Sequence, residues 1–282
     1  MLFYLLVLVI LVFNLFPFLW SLYSSFQPSL QLWSSNLLPP FFHDGQFDFG
    51  YGIANGLTLD HFRQIFSDWR FVGALINSTI VSALTVLVAL GLGSICAYAL
   101  GRLPFRFKGP VLYMVLTMTM FPQIAVLSGL FTMLRFLGLM RTQPGLILTY
   151  LIFTMPFTIW VMTQYFRSLP KELEEAAYVD SASPLKVFWE ILLPLTMPGL
   201  VSAGLLAFIA AWNEFLFALT FTDERTKTVP VVISQFSGVD PREFPWGEII
   251  AASMVVTVPL VILVLMFQYR IVKGLTAGAV KG

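Results

Sequence analysis

The sequence predicts an all-α membrane protein with six transmembrane helices, and three observations support that fold class. Only 11% of the 282 residues are charged, whereas a soluble domain carries about 25%. Such a chain cannot cover a water-facing surface, so most of its surface must face lipid. Six apolar runs reach the length of about 20 residues that a helix needs to cross a bilayer. These runs lack the alternation of apolar and polar residues that a membrane β-barrel shows.

The six runs set the predicted boundaries of the segments. They comprise residues 2–22, 71–100, 111–134, 144–165, 195–221 and 246–269. The predicted segments are a first transmembrane helix over 1–24, an extracytoplasmic loop over 25–70, a five-helix core over 71–270 and a cytoplasmic tail over 271–282. The first run also has the length of a signal peptide, but it has no basic n-region and carries Pro17, which favours a membrane helix. Whether the natural N-terminus is longer stays open.

The placement of lysine and arginine predicts the orientation in the membrane. Arg102, Arg106 and Lys108 lie in the short segment after the second run, whereas the longest segment between runs carries only Arg63 and Arg70. Because basic residues are enriched in cytoplasmic loops, we place both termini in the cytoplasm.

Composition also excludes several classes of function. A net charge of +1 gives no reason to expect a nucleic-acid partner, and the single cysteine, Cys96, excludes a cysteine-rich metal site. His43 and His61 are the only histidines, and neither lies in an apolar run. The chain has no phosphate-binding G-x-x-x-x-G-K-[ST] segment. We therefore expect no catalytic residue, metal site or cofactor in this chain.

The most charged segment, residues 166–195, predicts two short helices. The first can begin at Pro170, because proline is tolerated at the first helical position and Ser168 is available nearby as a cap. Three glutamates then occupy its first turns, where the helix dipole favours negative charge: Glu172, Glu174 and Glu175. Ala176, Ala177 and Ser181 lie roughly along one side, where small side chains would let a partner approach. A solvated amphipathic loop is the alternative interpretation.

The second short helix begins with the cap-plus-proline pair Ser183-Pro184. Its apolar residues are predicted to share one face: Leu185, Phe188, Trp189 and Leu192. Lys186 and Glu190 fall on the other face, so this helix would lie in the membrane interface. Pro194 and Pro198 then lead into the fifth run.

This segment resembles the cytoplasmic signature of permease subunits of binding-protein-dependent ATP-binding-cassette importers. That signature is Glu-Ala-Ala, a glycine four residues later, and Ile-x-Leu-Pro beginning ten residues after the glycine. The chain matches every defined position except the glycine, where Ser181 stands. The glycine ends the first helix in left-handed backbone angles, which would cost serine roughly 1 kcal/mol; alternatively, the helix continues past Ser181.

Further resemblance extends over about residues 57–282. The stretches 57–62, 77–78 and 211–215 and the ending 274–282 are similar to the maltose-type permeases, in particular their six-helix subunit. The resemblance implies the type I importer permease fold, with a cytoplasmic coupling helix at about 170–182. The residues implied in ATPase coupling are Glu174, Glu175, Ala176, Ala177, Asp180, Ser181, Ile191, Leu193 and Pro194, and those implied in tail contacts are Thr276 and Lys281.

The partners follow from the same resemblance. They are a second permease subunit in a heterodimer, two cytoplasmic ATPase subunits that bind ATP and magnesium, an extracytoplasmic solute-binding protein, a sugar and the lipid bilayer. The implied location is the inner membrane of a bacterial or archaeal cell.

A solute path is predicted where polar residues interrupt the apolar runs. Glu214 is the one acidic residue well inside a run, and an ionisable group there costs about 2.5–3.5 kcal/mol unless it faces a cavity or the bundle interior. Trp212 and Asn213 beside it offer the flat apolar face and the amide that sugars bind. Gln123 follows the Phe121-Pro122 interruption of the third run. An interhelical hydrogen bond at Glu214 is the structural alternative.

Two other functions stay open from the sequence. A permease of the same family for a solute other than sugar would carry the same signature at Glu175. An ion-coupled secondary transporter usually has ionisable residues in several crossings and internal repeats, and here only Glu214 has that character. The particular sugar is not predicted.

Overall fold

The predicted apolar runs are helical in the structure, a computed structural model that describes residues 2–32, 42–43, 46–47, 56–236 and 244–277. The α-helices in chain order are α1 (Leu2–Ser24), α2 (Ser29–Leu32), α3 (Asp60–Ser67), α4 (Trp69–Arg102), α5 (Lys108–Thr119), α6 (Gln123–Phe136), α7 (Gln143–Ser168), α8 (Glu172–Val179), α9 (Pro184–Lys186), α10 (Leu193–Leu195), α11 (Met197–Trp212), α12 (Leu216–Phe221), α13 (Val229–Ser234) and α14 (Trp246–Ala277). A π-helical turn (Val187–Leu192) joins α9 to α10. Two short antiparallel strands, β1 (Phe42–His43) and β2 (Gln46–Phe47), pair with Phe42 opposite Phe47.

Within the described residues, four helices are long and apolar enough to cross a membrane, namely α1, α4, α7 and α14. They coincide with the first, second, fourth and sixth predicted crossings. The sixth is longer than predicted, because α14 continues through Ala277 into the segment assigned to the tail. The number of candidate spans in the described chain rises to six if two bent pairs of helices each count as one.

The third predicted crossing is not one straight helix, which corrects the continuous run 111–134. α5 and α6 meet at 96° across Met120–Pro122. Proline removes a backbone donor and disfavours helical angles in the residue before it, which explains a break here. The interruption expected at Phe121-Pro122 is therefore confirmed, and it is a sharp bend.

The fifth predicted crossing is also divided. α11 ends at Trp212, and α12 begins at Leu216. The helical segment before it, Pro184–Leu195, meets α11 at 75°.

The chain divides into two compact units. The first comprises Met1–Leu75 and Val229–Pro259, and the second comprises Ile76–Thr228 and Leu260–Gly282. In the first unit, Ile65, Phe71 and Ala251 belong to a buried apolar cluster. Beside it, the Nε2–H of buried His61 donates a 2.9 Å hydrogen bond to the Gln27 carbonyl oxygen, and its Nδ1 lies 3.6 Å from Glu248 Oε1.

The second unit is built around α7, which packs against α5, α11 and α12. Four buried threonines are distributed around α7: Thr149, Thr154, Thr158 and Thr163. Each hydroxyl donates to the carbonyl oxygen four residues earlier on the same helix, at 2.7–2.9 Å. These threonines therefore satisfy their donors within their own helix, as buried polar groups require.

Candidate functional site

The charged segment after α7 folds into the predicted elbow of two short helices, but its first helix is shorter than predicted. α8 spans Glu172–Val179 instead of about 170–182. Lys171 occupies the N-cap position without a side-chain cap, and the Ser168 hydroxyl donates to the Tyr165 carbonyl oxygen at 2.8 Å. Ser168 is therefore not the cap, since it lies within the last turn of α7, where a serine can bond to the preceding turn of its own helix.

The end of α8 keeps the geometry that a glycine would adopt. Ser181 has φ of 59°, so it lies in the left-handed region and does not extend the helix. The Ser181 N–H donates to the Tyr178 carbonyl oxygen and the Ala182 N–H donates to that of Ala177, each at 3.0 Å. This pair of bonds is a Schellman motif. It directs the chain from α8 straight into the second helix.

One face of α8 packs against the rest of the chain, and the other is exposed. Ala177 is buried in a cluster with Phe166, Val187 and Phe188, so it packs within this chain. Glu174 is also turned inward, and its carboxylate pairs with Arg102. The predicted single face of small residues is therefore divided, because Ala177 points inward while Ala176 and Ser181 are exposed.

An exposed patch remains on the opposite side of α8. It consists of Glu175, Ala176, Val179 and Asp180. Val179 is the apolar member of this set and is 85% exposed. Glu175 and Val179 are four positions apart and so share a face. We call this set the α8 patch.

The second short helix begins as predicted, with the Ser183 hydroxyl accepting from the Lys186 N–H at 3.3 Å and Pro184 in the first turn. The four residues of its predicted apolar face differ in burial. Phe188 and Leu192 are buried, but Leu185 and Trp189 are exposed. The π-helical turn has a longer period than an α-helix, so its buried side runs through Val187 and Phe188 toward Leu192.

The remaining signature residues hold the elbow onto the second unit. Ile191 and Leu193 pack against the buried cluster of Phe188 and Leu192. Pro194 lies in α10. This short helix contacts α11, with which the next crossing begins. A cavity of about 470 Å³ opens between α8 and the second short helix of the elbow, with Leu173, Asp180 and Ile191 among its lining residues.

Sequence reasoning missed Arg102. In a basic loop it reads as one of several residues that set orientation, yet its side chain is only 5% exposed. The sequence offers little to single out Arg102, because Arg106 and Lys108 are basic residues of the same short segment. Only the structure distinguishes Arg102, whose side chain is buried, from Arg106, which is exposed.

Glu214 lies at the break between α11 and α12, and its carboxylate caps the N-terminus of α12. Its Oε1 accepts from the Phe217 N–H at 2.8 Å and its Oε2 accepts from the Ala218 N–H at 3.0 Å. The residue is 6% exposed. A carboxylate at a helix N-terminus satisfies donors that the helix leaves free and interacts favourably with its dipole. These local bonds give Glu214 a structural part as the cap of α12, while the interhelical hydrogen bond and the place on the solute path stay predictions.

The other predicted path residues have different environments. Trp212 is buried, and its ring stacks on Phe208 with centroids 5.4 Å apart. Asn213 is exposed, and its amide donates to the Ile209 carbonyl oxygen at 2.9 Å. Gln123 is exposed at the start of α6, directly after the bend. The structure thus puts polar, exposed side chains at both helix breaks.

The tail residues are only partly covered by the structure. Thr276 lies in the last turns of α14. Lys281 lies outside the described residues, so its predicted contact stays a prediction.

Comparison with known proteins gives one family. Residues 89–276 match the model of the family described as binding-protein-dependent transport system inner membrane component. The chain is 41% identical over 271 residues to the trehalose/maltose transport system permease protein of Thermococcus litoralis, covering 95% of this chain and 92% of that protein. It is 40% identical over 269 residues to the trehalose transport system permease protein of Mycobacterium tuberculosis, covering 95% and 93%.

More distant relatives and solved structures agree. The sulfoquinovosyl glycerol transport system permease protein of Agrobacterium fabrum is 34% identical over 275 residues, covering 97% of this chain and 91% of that protein. A crystal structure of a bacterial ABC transporter that imports the acidic polysaccharide alginate contains a chain that matches with a TM-score of 0.77 at 18% identity, covering 95% and 94% of the two chains. The fold is therefore the type I importer permease fold that the sequence predicts.

Proposed function

This chain belongs to the family of binding-protein-dependent transport system inner membrane components, and we propose that it is the sugar-importing permease subunit of an ATP-binding-cassette transporter. It is a multi-pass membrane subunit, and the energy for import comes from ATP bound by a separate ATPase. The chain itself carries no catalytic role in this proposal.

The α8 patch is the observation that carries the coupling role. Glu175, Val179 and Asp180 are exposed on a helix whose other side is anchored in the second unit. Glu175 and Asp180 surround the exposed apolar side chain of Val179, and such a helix face suits binding in a groove of a partner protein. We assign that groove to the ATPase, with Ala176 allowing close approach.

The residues that hold the elbow in place have an indirect part. Ala177, Ser181, Ile191, Leu193 and Pro194 orient α8 and transmit its displacement to α11. This role is assigned to them because they pack within the chain or form the Schellman motif, and not because they present an exposed surface to a partner. The α8 patch contacts the ATPase, and these residues make its movement a movement of the crossings.

The rest of the complex follows from this role. A second permease subunit forms the other half of the pore, two ATPase subunits bind ATP and magnesium, and a solute-binding protein delivers the solute from outside. Both termini lie in the cytoplasm, with Thr276 and Lys281 near the ATPases. The basic segment containing Arg102, Arg106 and Lys108 supports this orientation.

A sugar is the solute that the relatives support. Two relatives at 41% and 40% identity are named for trehalose/maltose and trehalose transport, and another is named for sulfoquinovosyl glycerol transport. A disaccharide or related glycoside therefore fits best. Gln123 and Asn213, exposed at the two helix breaks, are the side chains that we place nearest the path, with Trp212 and Glu214 supporting the second break from within.

Reconstitution tests this function directly. The complex that copurifies with the tagged chain is placed in proteoliposomes with its binding protein, and ATP hydrolysis is measured with a panel of disaccharides, amino acids and phosphate. Stimulation by a disaccharide supports the proposal. Stimulation by a different solute class, or uptake by this chain alone driven by an ion gradient, rejects it.

A further inference from the structure

Arg102 joins the end of α4 to the start of the coupling elbow through three separate groups. Its Nε–H donates to the Glu174 carboxylate, its Nη1 to the Leu169 carbonyl oxygen at 3.0 Å, and its Nη2 to the Pro170 carbonyl oxygen at 3.0 Å. Glu174 is 14% exposed. The planar guanidinium fork thus fixes both the first turn of α8 and the two residues that lead into it.

The same end of α4 is held against α7. A β-carbon at Gly101 would lie 3.3 Å from Phe166 Cβ and 3.4 Å from the Thr163 carbonyl oxygen, so the two helices approach closely there. Arg167 donates to the Leu100 carbonyl oxygen at 3.3 Å. The ends of α4 and α7 and the start of α8 therefore form one joined group, which we call the elbow clamp.

A third set of contacts ties the π-helical turn to this clamp. The Tyr98 ring lies 5.2 Å from that of Phe188 and 6.0 Å from that of Phe166, measured between centroids. Aromatic pairs at such distances add to the energy of apolar burial. Packing alone would let helices slip, however, whereas a charge that is desolvated with its partner resists separation because either charge left alone is strongly disfavoured.

We propose that Arg102 is a positioning residue for transport, which carries the movement of α8 into α4 through its buried pair with Glu174. This inference rests on the proposed function, in which an ATPase moves α8. Glu174 then acts within the chain through Arg102, while its neighbour Glu175 acts on the partner. The two adjacent glutamates of α8, Glu174 and Glu175, therefore have separate tasks, one inward and one outward.

A distance measurement tests the clamp without any sugar. The single cysteine, Cys96, is removed by Cys96→Ser, and spin labels are attached through Leu103→Cys and Lys171→Cys, both exposed positions outside the α8 patch. In the complex with its ATPase, the separation of the labels should be the same without nucleotide and with trapped ATP. Adding Arg102→Gln should make that separation broader and different between the two states. The control Arg106→Gln removes an exposed arginine of the same loop and should leave it unchanged.

Transport measurements provide the second readout. In assembled Arg102→Gln complexes, the sugar moved per ATP hydrolysed should fall about fivefold, at the lower end of usual coupling effects. Glu174→Gln should show a smaller fall, since it keeps an acceptor oxygen, and Arg102→Lys should not restore the ratio because lysine lacks the fork. If Arg102→Gln does not assemble, Glu174→Gln decides.

Two outcomes overturn the inference. They are label separations in Arg102→Gln that match those of the parent in both nucleotide states, and a transport ratio in assembled variants equal to the parental one. A parent complex that hydrolyses ATP without moving any sugar would reject the proposed substrate class. The label measurement would then still decide the role of Arg102, because it requires only ATP and the bound ATPase.

Discussion

The backbone N–H of Phe217 donates to Glu214 Oε1 over 2.8 Å, so the acidic residue of the fifth crossing serves as the cap of α12. Glu214→Gln should leave one of the two capped N–H groups without an acceptor. An unsatisfied buried donor costs about 1–3 kcal/mol, so we expect a lower thermal unfolding midpoint of the purified permease complex in detergent. Asn213→Ala, which removes an exposed amide, should change the midpoint little.

The opposite pattern would reassign Glu214 to the solute path. An unchanged midpoint in Glu214→Gln together with altered preference among disaccharides would mean that the carboxylate binds solute rather than the backbone of α12.

Charge reversal on the α8 patch should uncouple the complex. Glu175→Lys places a cation on the exposed face that we assign to the ATPase, and unfavourable charge placement at an interface costs several kcal/mol. We expect uptake to be lost while ATP hydrolysis no longer responds to sugar. Glu190→Lys is the matched reversal, because Glu190 is exposed on the second short helix, outside the α8 patch, and it should have a smaller effect. Normal assembly and uptake in Glu175→Lys would show that α8 does not dock on the ATPase.

Ser181→Gly should stabilise the elbow. Left-handed angles at a residue with a β-carbon cost roughly 1–2 kcal/mol, and Ser181 adopts them at φ of 59°. The variant should therefore raise the unfolding midpoint. Ser168→Gly is the control, because the same change in the last turn of α7 should destabilise by about 0.5–1 kcal/mol. A fall in the midpoint for both variants would argue that Ser181 contributes more through its side chain than its backbone angle costs.

Gly199 should be intolerant of a side chain. A β-carbon there would lie 2.5 Å from Tyr165 Cδ2, and overpacking of this kind costs about 1–3 kcal/mol. Gly199→Ala should therefore lower the unfolding midpoint and the yield of assembled complex. Gly91→Ala is the matched control in α4, since no atom of the described chain lies within 4 Å of its β-carbon position. Equal effects of the two changes would contradict the close approach of α7 and α11.

The sequence predicts the helices well because length and apolar composition are local properties. The bounds of α4 and α7 lie within a few residues of the predicted ones. The breaks are harder to predict. Proline marks the bend at Pro122, but its 96° angle depends on packing between helices, and no proline marks the break after Trp212.

The site shows the same division between local and tertiary information. Ser183 is a cap in the structure as predicted, because the next residue is proline and both signals are adjacent. Ser168 is not, because α7 extends over it. The inward turn of Glu174 and the outward turn of Glu175 could not be separated by sequence, since only the position of Arg102 distinguishes them.

The four buried threonines of α7 bear on how this helix contacts its neighbours. Thr149, Thr154, Thr158 and Thr163 donate within their own helix, so their hydroxyls need no donor bond to a neighbour. At Gly93 of α4, a β-carbon would lie 3.0 Å from the Thr158 methyl group. Contacts of this kind are dispersive, and each is weak and short-ranged. A displacement of α4 at this contact would therefore exchange methyl contacts without breaking the hydrogen bond of Thr158, which stays within α7. The two helices thus meet here through groups that can be rearranged at the cost of weak contacts alone.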